Sequence, residues 1–273
     1  MRAARALAAF LCLLALGAAP PRPRIVSLIP SLTEDLFAIG AGSQVVGVSQ
    51  FTDYPAPAAR LPQVSSYSSV DAEKVLSLHP DVVVGIPAQA ALTADLRRVG
   101  LRTELLDDDS YADIFGDLAA LGRISGHARE AAALAGRLRA RAAQLEAEVP
   151  AGERPRVFVV LGVAPVYTAG DRSYIATLLH MAGARNAARG LRQAYGRYSA
   201  EALVAAQPDA VLTDTGSGLN AVLDRAPWNA LRAVREDRVY AIDNADLLER
   251  PGPRFTEGLR WLIERLHPGA RVR

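Results

Sequence analysis

The sequence predicts an α/β protein of two lobes, each with a central, mostly parallel sheet, joined by one long backbone helix. Three observations predict it. Short β-branched runs alternate with helical segments in both halves of the chain. Between those halves, residues 111–149 are Ala- and Leu-rich, with interleaved charges and no β-branched cluster. Finally, "DAEKVLSLHPDVVVG" at 71–85 returns as "SAEALVAAQPDAVLT" at 199–213, with Glu73 and Glu201 at the same distance before Pro80 and Pro208. That offset is too long for a solenoid and instead places one copy in each lobe.

The elements follow in order. Residues 1–19, "MRAARALAAFLCLLALGAA", carry Arg2 and Arg5, then an apolar stretch too short to span a bilayer, then small residues. They read as a secretory signal peptide, with a retained anchor or lipid attachment at Cys12 as alternatives. The N-terminal lobe is expected over 20–110. "RIVSLIP" at 24–30 is a strand ended by proline, and Ser31 with Glu34 has capping-box spacing for a helix over 31–39 that stops at Gly40 or Gly42. "VVGVS", "VVVG" and "RTELL" supply further strands. The linking helical segment spans 111–150, read as one long helix with room for a shorter one before it, broken by "PAGERP". The C-terminal lobe, 151–273, restarts the alternation with "RVFVVLG", a helix ending near Gly183, the strands "DAVLT" and "RVYAID", and the closing helix "RFTEGLRWLIERL".

Within the repeated sentence, Asp71 and Ser199 are good N-cap residues. They place Glu73 and Glu201 in first helical turns, where a carboxylate is favoured by the helix dipole. Pro80 and Pro208 end the helices, and Asp81 and Asp209 lead into buried strands. On pattern alone, helix stabilisation suffices to explain both glutamates.

Composition narrows the function. Removing Arg2 and Arg5 with the signal lowers Lys plus Arg from 31 to 29, equal to the 29 acids, so net charge gives no case for nucleic acid. Cys12 is the single cysteine, so the mature chain has no disulfide, thiolate chemistry or cysteine-ligated metal. His79, His127, His180 and His267 form no metal or catalytic spacing, and no nucleophile elbow, phosphate loop or dinucleotide fingerprint is present. Asp107–Asp109 reads as a solvated turn rather than a calcium loop, and "TGSG" at 215–218 is weak evidence for phosphate. No catalysis and no resident metal are expected; a secreted α/β enzyme is the remote alternative.

What remains is a set of apolar and aromatic residues at strand ends and in the loops beyond: Phe51, Tyr54, Tyr67, Ile86, Tyr195, Tyr198, Leu247 and Leu248. In open α/β sheets ligands bind beyond the carboxyl ends of strands, and aromatic walls suit a large, flat or partly apolar ligand.

With "RIVSLIPSLTEDLFAIGAG", "VGVSQFTDYP", "DAEKVLSLHPDVVV", "YTAGDRSYIATLLHMAGARN" and "DLLERPGPR" as its marks, the chain resembles the helical-backbone, class III substrate-binding proteins of ABC importers, which capture cobalamin, haem and iron-siderophores. Within that family it looks most like the periplasmic cobalamin binders. The resemblance implies a periplasmic protein that holds its ligand between two rigid lobes and delivers it to a permease dimer with ATPase subunits, touching the membrane only through the permease. It also implies that Glu73 and Glu201 dock into arginine pockets of that permease. Pro30 matches a cleft-loop proline, Phe51 an aromatic, and Asp246 the acid before two large apolar residues, here Leu247 and Leu248. Tyr67, Ile86, Tyr195 and Leu247 stand where such cobalamin binders often carry tryptophan. Haem is the nearest rival ligand, since haem binders use a tyrosine close to Tyr67 as iron ligand. That tyrosine corresponds in spacing to Ser66, so Tyr67 is expected to be a stacking wall for a corrinoid.

Overall fold

The computed structural model describes residues 22–270; the signal-peptide expectation over 1–19 lies outside them. The N-terminal lobe is built on five parallel strands, β1 (Ile25–Ser27), β2 (Val45–Ser49), β3 (Gln63–Ser65), β4 (Val82–Gly85) and β5 (Arg102–Leu105), in the order β3-β2-β1-β4-β5. Every residue of β1 and β4 is buried, as their β-branched composition requires of strands covered on both faces. The chain runs outward from β1 through β2 to β3, then returns to β4 on the other side of β1. The direction of winding therefore reverses at β1 and β4, and their carboxyl ends flank the crevice where such sheets accept ligands.

Helix α1 (Pro30–Ala38) follows β1 and overturns the capping-box expectation. Pro30 occupies the first turn, Ile29 is the N-cap without a side-chain cap, and Ser31 Oγ is buried with no partner. Glu34 is 2% exposed and turns instead to Arg250 and Arg254 of the other lobe. Helices α2 (Ala72–Ser77) and α3 (Ala94–Arg98) complete this lobe.

The linking segment is a shorter helix, α4 (Tyr111–Ser125), followed by the long α5 (Ala128–Ala147), the arrangement for which the sequence left room. Gly126 separates them in a left-handed conformation, φ +77°, that a side chain would oppose. Ala131, Leu134, Ala135, Leu138, Ala142 and Leu145 make the buried stripe of α5, at helical spacing.

The C-terminal lobe comprises β6 (Arg156–Val160), β7 (Gly162–Val163), β8 (Val166–Ala169), α6 (Tyr174–Met181), β9 (Arg185–Asn186), β10 (Tyr195–Arg197), α7 (Ala200–Ala206), β11 (Ala210–Asp214), α8 (Arg232–Arg235), β12 (Val239–Ile242), α9 (Asp246–Glu249) and α10 (Phe255–Leu266). Its main sheet is parallel, order β12-β11-β6-β9, with a small antiparallel sheet β10-β8-β7 beside it. Gly258 lets α10 approach α9: a Cβ there would lie 2.0 Å from the Leu247 carbonyl oxygen. One apolar cluster runs from Ile25 and Val84 through Leu118 and Leu138 to Val157, Leu178 and Leu262, so the linking helices and both sheets share a continuous core.

The doubled sentence builds the same joint twice. Asp71 Oδ1 accepts from the Lys74 amide at 2.9 Å, and Ser199 Oγ accepts from the Ala202 amide at 3.1 Å, so both expected N-caps form. At the far end, His79 (φ +47°) and Gln207 (φ +39°) turn the chain through left-handed backbone just before each proline. Asp81 and Asp209 then each accept the backbone N–H of an arginine opening a neighbouring strand, Arg24 at 2.7 Å and Arg156 at 2.8 Å. Those arginine side chains reach back to the orphan carbonyls of the helix, Arg24 to Leu78 (2.8 Å) and Arg156 to Ala206 (2.8 Å) and Gln207 (2.9 Å). Asp71→Ala and Ser199→Ala are each expected to cost about 1 kcal/mol, read as a lower denaturant midpoint at unchanged slope. An unchanged midpoint in either variant would show that the cap does not stabilise its helix.

Candidate functional site

Between the lobes lies a cleft of about 210 Å³. Its N-terminal wall comes from the start of α1 just after β1, Ile29 to Ser31, with Tyr67 and Asp108. Its C-terminal wall is Asp246 and Glu249 of α9 with Arg250 and Pro251. The start of α1 is thus at the winding reversal of the first sheet, and α9 stands just beyond the end of β12. A larger groove of about 430 Å³ on the flank of the C-terminal lobe, between α6 and β9, is lined by none of Phe, Tyr or Trp and by no residue of the N-terminal lobe.

The expected ligand residues differ in their settings. Pro30, Tyr67 and Asp246 line the cleft directly. Phe51 backs Tyr67, their rings stacked with centroids 4.1 Å apart and planes at 26°. Tyr67 is 77% exposed, so the stack presents an open aromatic face. Ile86 follows β4 at the winding reversal and is half-buried. Tyr195, on β10, and Leu247 are half-buried and pack against the main core, and burial pushes the Tyr195 hydroxyl up, with Asp109 and Asp108 adding to it. Leu248 is 5% exposed and belongs to the core of its lobe, so in this arrangement its side chain is not a cleft surface. The other aromatics of the sequence set, Tyr54 and Tyr198, lie under Arg254 (4.1 Å from its guanidinium carbon to the ring centre) and against Phe158 (5.4 Å between centroids).

The cleft is acidic, a property that no local motif in the sequence signals. Asp107 and Asp109 are exposed, as a solvated turn requires, but Asp108 between them is half-buried and faces the cleft. Burial first, and then Asp109 and Asp113, push its carboxyl up to about 6. Across the cleft, burial and the neighbouring Asp214, which also shares a hydrogen bond with it, raise Glu249 to about 7. Burial outweighs Arg250 in raising Asp246 as well. The one cation in the wall, Arg250, is committed to Asp246 (2.9 Å), Asp53 (2.8 Å) and Glu34 (3.2 Å). Burial opposes it, yet the hydrogen bond and charge of Arg250 hold Asp53 below its usual range. Arg250 and Arg254 stand four apart in "RPGPR", a signal that could have singled them out; their partners in α1 are more than 200 residues away in sequence.

Glu73 and Glu201 are exposed in the first turns of α2 and α7. The Ser199 hydroxyl donates to Glu201 at 2.7 Å and holds its carboxyl below the usual range. The four histidines have structural settings. His79 shapes the turn before Pro80, His127 precedes α5 beside Gln44 and Ser125, His180 meets Arg154, and His267 meets the Ala182 carbonyl. Among the described residues no group of three or more His, Cys, Asp or Glu is placed to hold a metal ion, and no helix is long and apolar enough to cross a membrane.

Comparison with known proteins adds a relation over nearly the whole chain. A family profile described as periplasmic binding protein matches residues 25–245. An uncharacterized ABC transporter substrate-binding lipoprotein of Bacillus subtilis is 31% identical over 254 residues, 90% of this chain and 80% of that protein. The vitamin B12-binding protein of Vibrio cholerae is 30% identical over 242 residues, 88% of this chain and 87% of that one. A crystal structure of the periplasmic vitamin B12-binding protein of Vibrio cholerae superposes with a TM-score of 0.80 at 28% identity, covering 92% and 99% of the two chains. A periplasmic heme-binding protein from Roseiflexus superposes with a TM-score of 0.81 at 27% identity, covering 92% and 100%.

Proposed function

The chain belongs to the periplasmic binding protein family, whose members are non-enzymatic substrate-binding components of ABC transporters, and from that premise we propose that it captures a cobalamin-type corrinoid in the interlobe cleft. The proposal extends to a secreted, periplasmic setting and to delivery of the ligand to a permease dimer with its ATPase subunits. Vitamin B12-binding relatives support it, though heme-binding structures superpose equally well.

The observation that carries the choice of ligand is the acidic lining of the cleft. At neutral pH Asp108, raised only to about 6, is mostly ionised and Glu249, raised to about 7, is about half ionised, and that negative charge would repel the two propionates of haem in a part-desolvated site. Arg250 is already engaged by three carboxylates. A corrinoid carries a rim of amides, whose N–H groups are donors that carboxylates accept well. Its macrocycle can lie on the open face of the Phe51–Tyr67 stack. The cleft is small beside the roughly 300–1,000 Å³ of ordinary ligand pockets, so the lobes part or the corrinoid is held at the cleft mouth against the exposed Tyr67 ring.

Titration of the purified protein with cyanocobalamin, hemin and ferric siderophores, followed by intrinsic fluorescence and visible absorption, tests this reading. Cyanocobalamin is expected to bind more tightly than hemin. Tyr67→Ala is expected to weaken corrinoid binding about three- to tenfold, the loss of one stacking partner, and Tyr67→Phe to leave it nearly unchanged. Absence of corrinoid binding, together with a haem spectrum that disappears in Tyr67→Phe, would establish the haem alternative, with Tyr67 as iron ligand.

A further inference from the structure

We propose that the loop from Arg250 to Arg254 is an interlobe strap, in which two arginines of the C-terminal lobe grip Glu34 and Asp53 of the N-terminal lobe and hold Glu73 and Glu201 at one fixed separation. Its importance for transport rests on the docking reading of those two glutamates; its mechanical content does not. Arg254 forks onto Glu34, Nε donating to Oε2 at 2.7 Å and Nη2 to Oε1 at 2.7 Å, the bidentate arrangement that constrains direction as well as distance. Its guanidinium also covers the ring of Tyr54, another residue of the N-terminal lobe, at 4.1 Å. Arg250 donates to Asp53 at 2.8 Å and to the Phe51 carbonyl at 3.1 Å, while Asp246 steadies it from its own lobe. Glu34 is 2% exposed, and the Arg254 and Arg250 side chains are 12% and 17% exposed, so water does little to loosen the Glu34 fork, whereas Asp53, 66% exposed, is the weaker anchor.

The position of these pairs gives them a mechanical role. On the helical side of the junction the lobes are joined by chain and by the continuous apolar core through α4, α5 and α10. A junction closed on one side alone leaves the cleft side free to open about that side. The strap begins where that core ends, with Arg254 at the N-cap of α10, and it extends the junction to the cleft, where Arg250 itself forms part of the wall. Buried ion pairs contribute little net stability, because desolvation offsets attraction. What a forked pair contributes is a preferred geometry. Two properties then share one control. Arg250 holds the Phe51 backbone, and the Phe51 ring holds Tyr67, so the ligand wall and the spacing of the lobes loosen together. Separation of the lobes by a transporter has to break the Glu34 fork, which makes release dependent on force applied at both lobes.

The test is a distance measurement. Spin labels on cysteines introduced at the exposed positions Lys74 and Ala205, one in each lobe, report the separation in a Cys12→Ser chain that has no other cysteine. Double electron–electron resonance on the parent is expected to give a single narrow distance distribution, and Glu34→Gln one that is roughly twofold broader and shifted to longer distances, as for lobes freed to rock. Arg254→Lys keeps the charge, loses the fork and covers the case in which Glu34→Gln does not fold; it is expected to broaden the distribution in the same sense. Identical distributions in parent and folded variants overturn the strap, even where melting temperature falls. No transporter enters this measurement, so a failed strap is separable from failed docking, which uptake reports.

Discussion

Replacing both Glu73 and Glu201 by alanine is expected to reduce uptake through the cognate importer at least about tenfold, while ligand affinity of the purified protein stays within about twofold. Both carboxylates are exposed at first helical turns, one per lobe, on short helices fastened by the same Arg–Asp joint. Neither lines the cleft, so loss of the pair leaves ligand contacts intact. The Ser199 hydrogen bond holds the Glu201 carboxyl below its usual range and orients it, which on the docking reading suits a charge-assisted pair with a guanidinium. Single variants are expected to fall between parent and double variant, since a protein docked at one lobe is still half oriented. Glu130, an exposed first-turn glutamate on α5, is the control whose alanine variant leaves uptake unchanged. If the double variant transports normally, both glutamates serve only their helices, for which the helix dipole is reason enough.

The doubled sentence shows what sequence can and cannot carry. Its caps, proline stops and β-branched runs act within a few residues, so Asp71, Ser199, β4 and β11 were readable from local spacing alone. The clamp beneath them needed partners 57 and 53 residues away, Arg24 with Asp81 and Arg156 with Asp209, and no local pattern shows that. Glu34 is the sharper case. Ser31 and Glu34 have the spacing of a capping box, yet Pro30 sets the helix start and burial against Arg254 recruits the carboxylate. Gly126 was hidden differently: Gly116, Gly122 and Gly136 lie in the same Ala-rich region and stay helical, and only packing of α4 on α5 decides which glycine turns. Short strands such as β3 and β9 carry too few residues for a period to register. At the site, aromatic residues were legible by type, but the acidity of the cleft came from Asp108 and Glu249, whose facing positions depend on how the lobes meet.

Asp117→Asn is expected to flatten the stability of this protein between pH 5 and pH 8. Asp117 lies on α4, 3% exposed, where α4 packs on α1, and its Oδ2 has no partner; Asp35 of α1 is fully buried with neither carboxyl oxygen partnered. Burial, and then the charges of Asp108 and Asp113, raise Asp117 to about 8. Burial, Asp117 and Glu34 raise Asp35 well above the usual range. The folded protein therefore retains protons that the unfolded chain releases near pH 4. Stability from that retention is fully present below pH 4 and is lost as pH climbs toward 8, by up to about 1.4 kcal/mol per unit for each group. An asparagine at 117 is neutral at every pH, so it removes one slope. Relative to parent, the variant is expected to gain up to about 4 kcal/mol between pH 5 and pH 8, read as diverging urea midpoints. Asp53 and Asp209, which arginines hold low against the opposing effect of burial, are ionised in both the folded and the unfolded chain across this range and add no slope to it. Midpoints that stay parallel across the range would mean that Asp117 ionises in the folded protein as readily as in the unfolded chain.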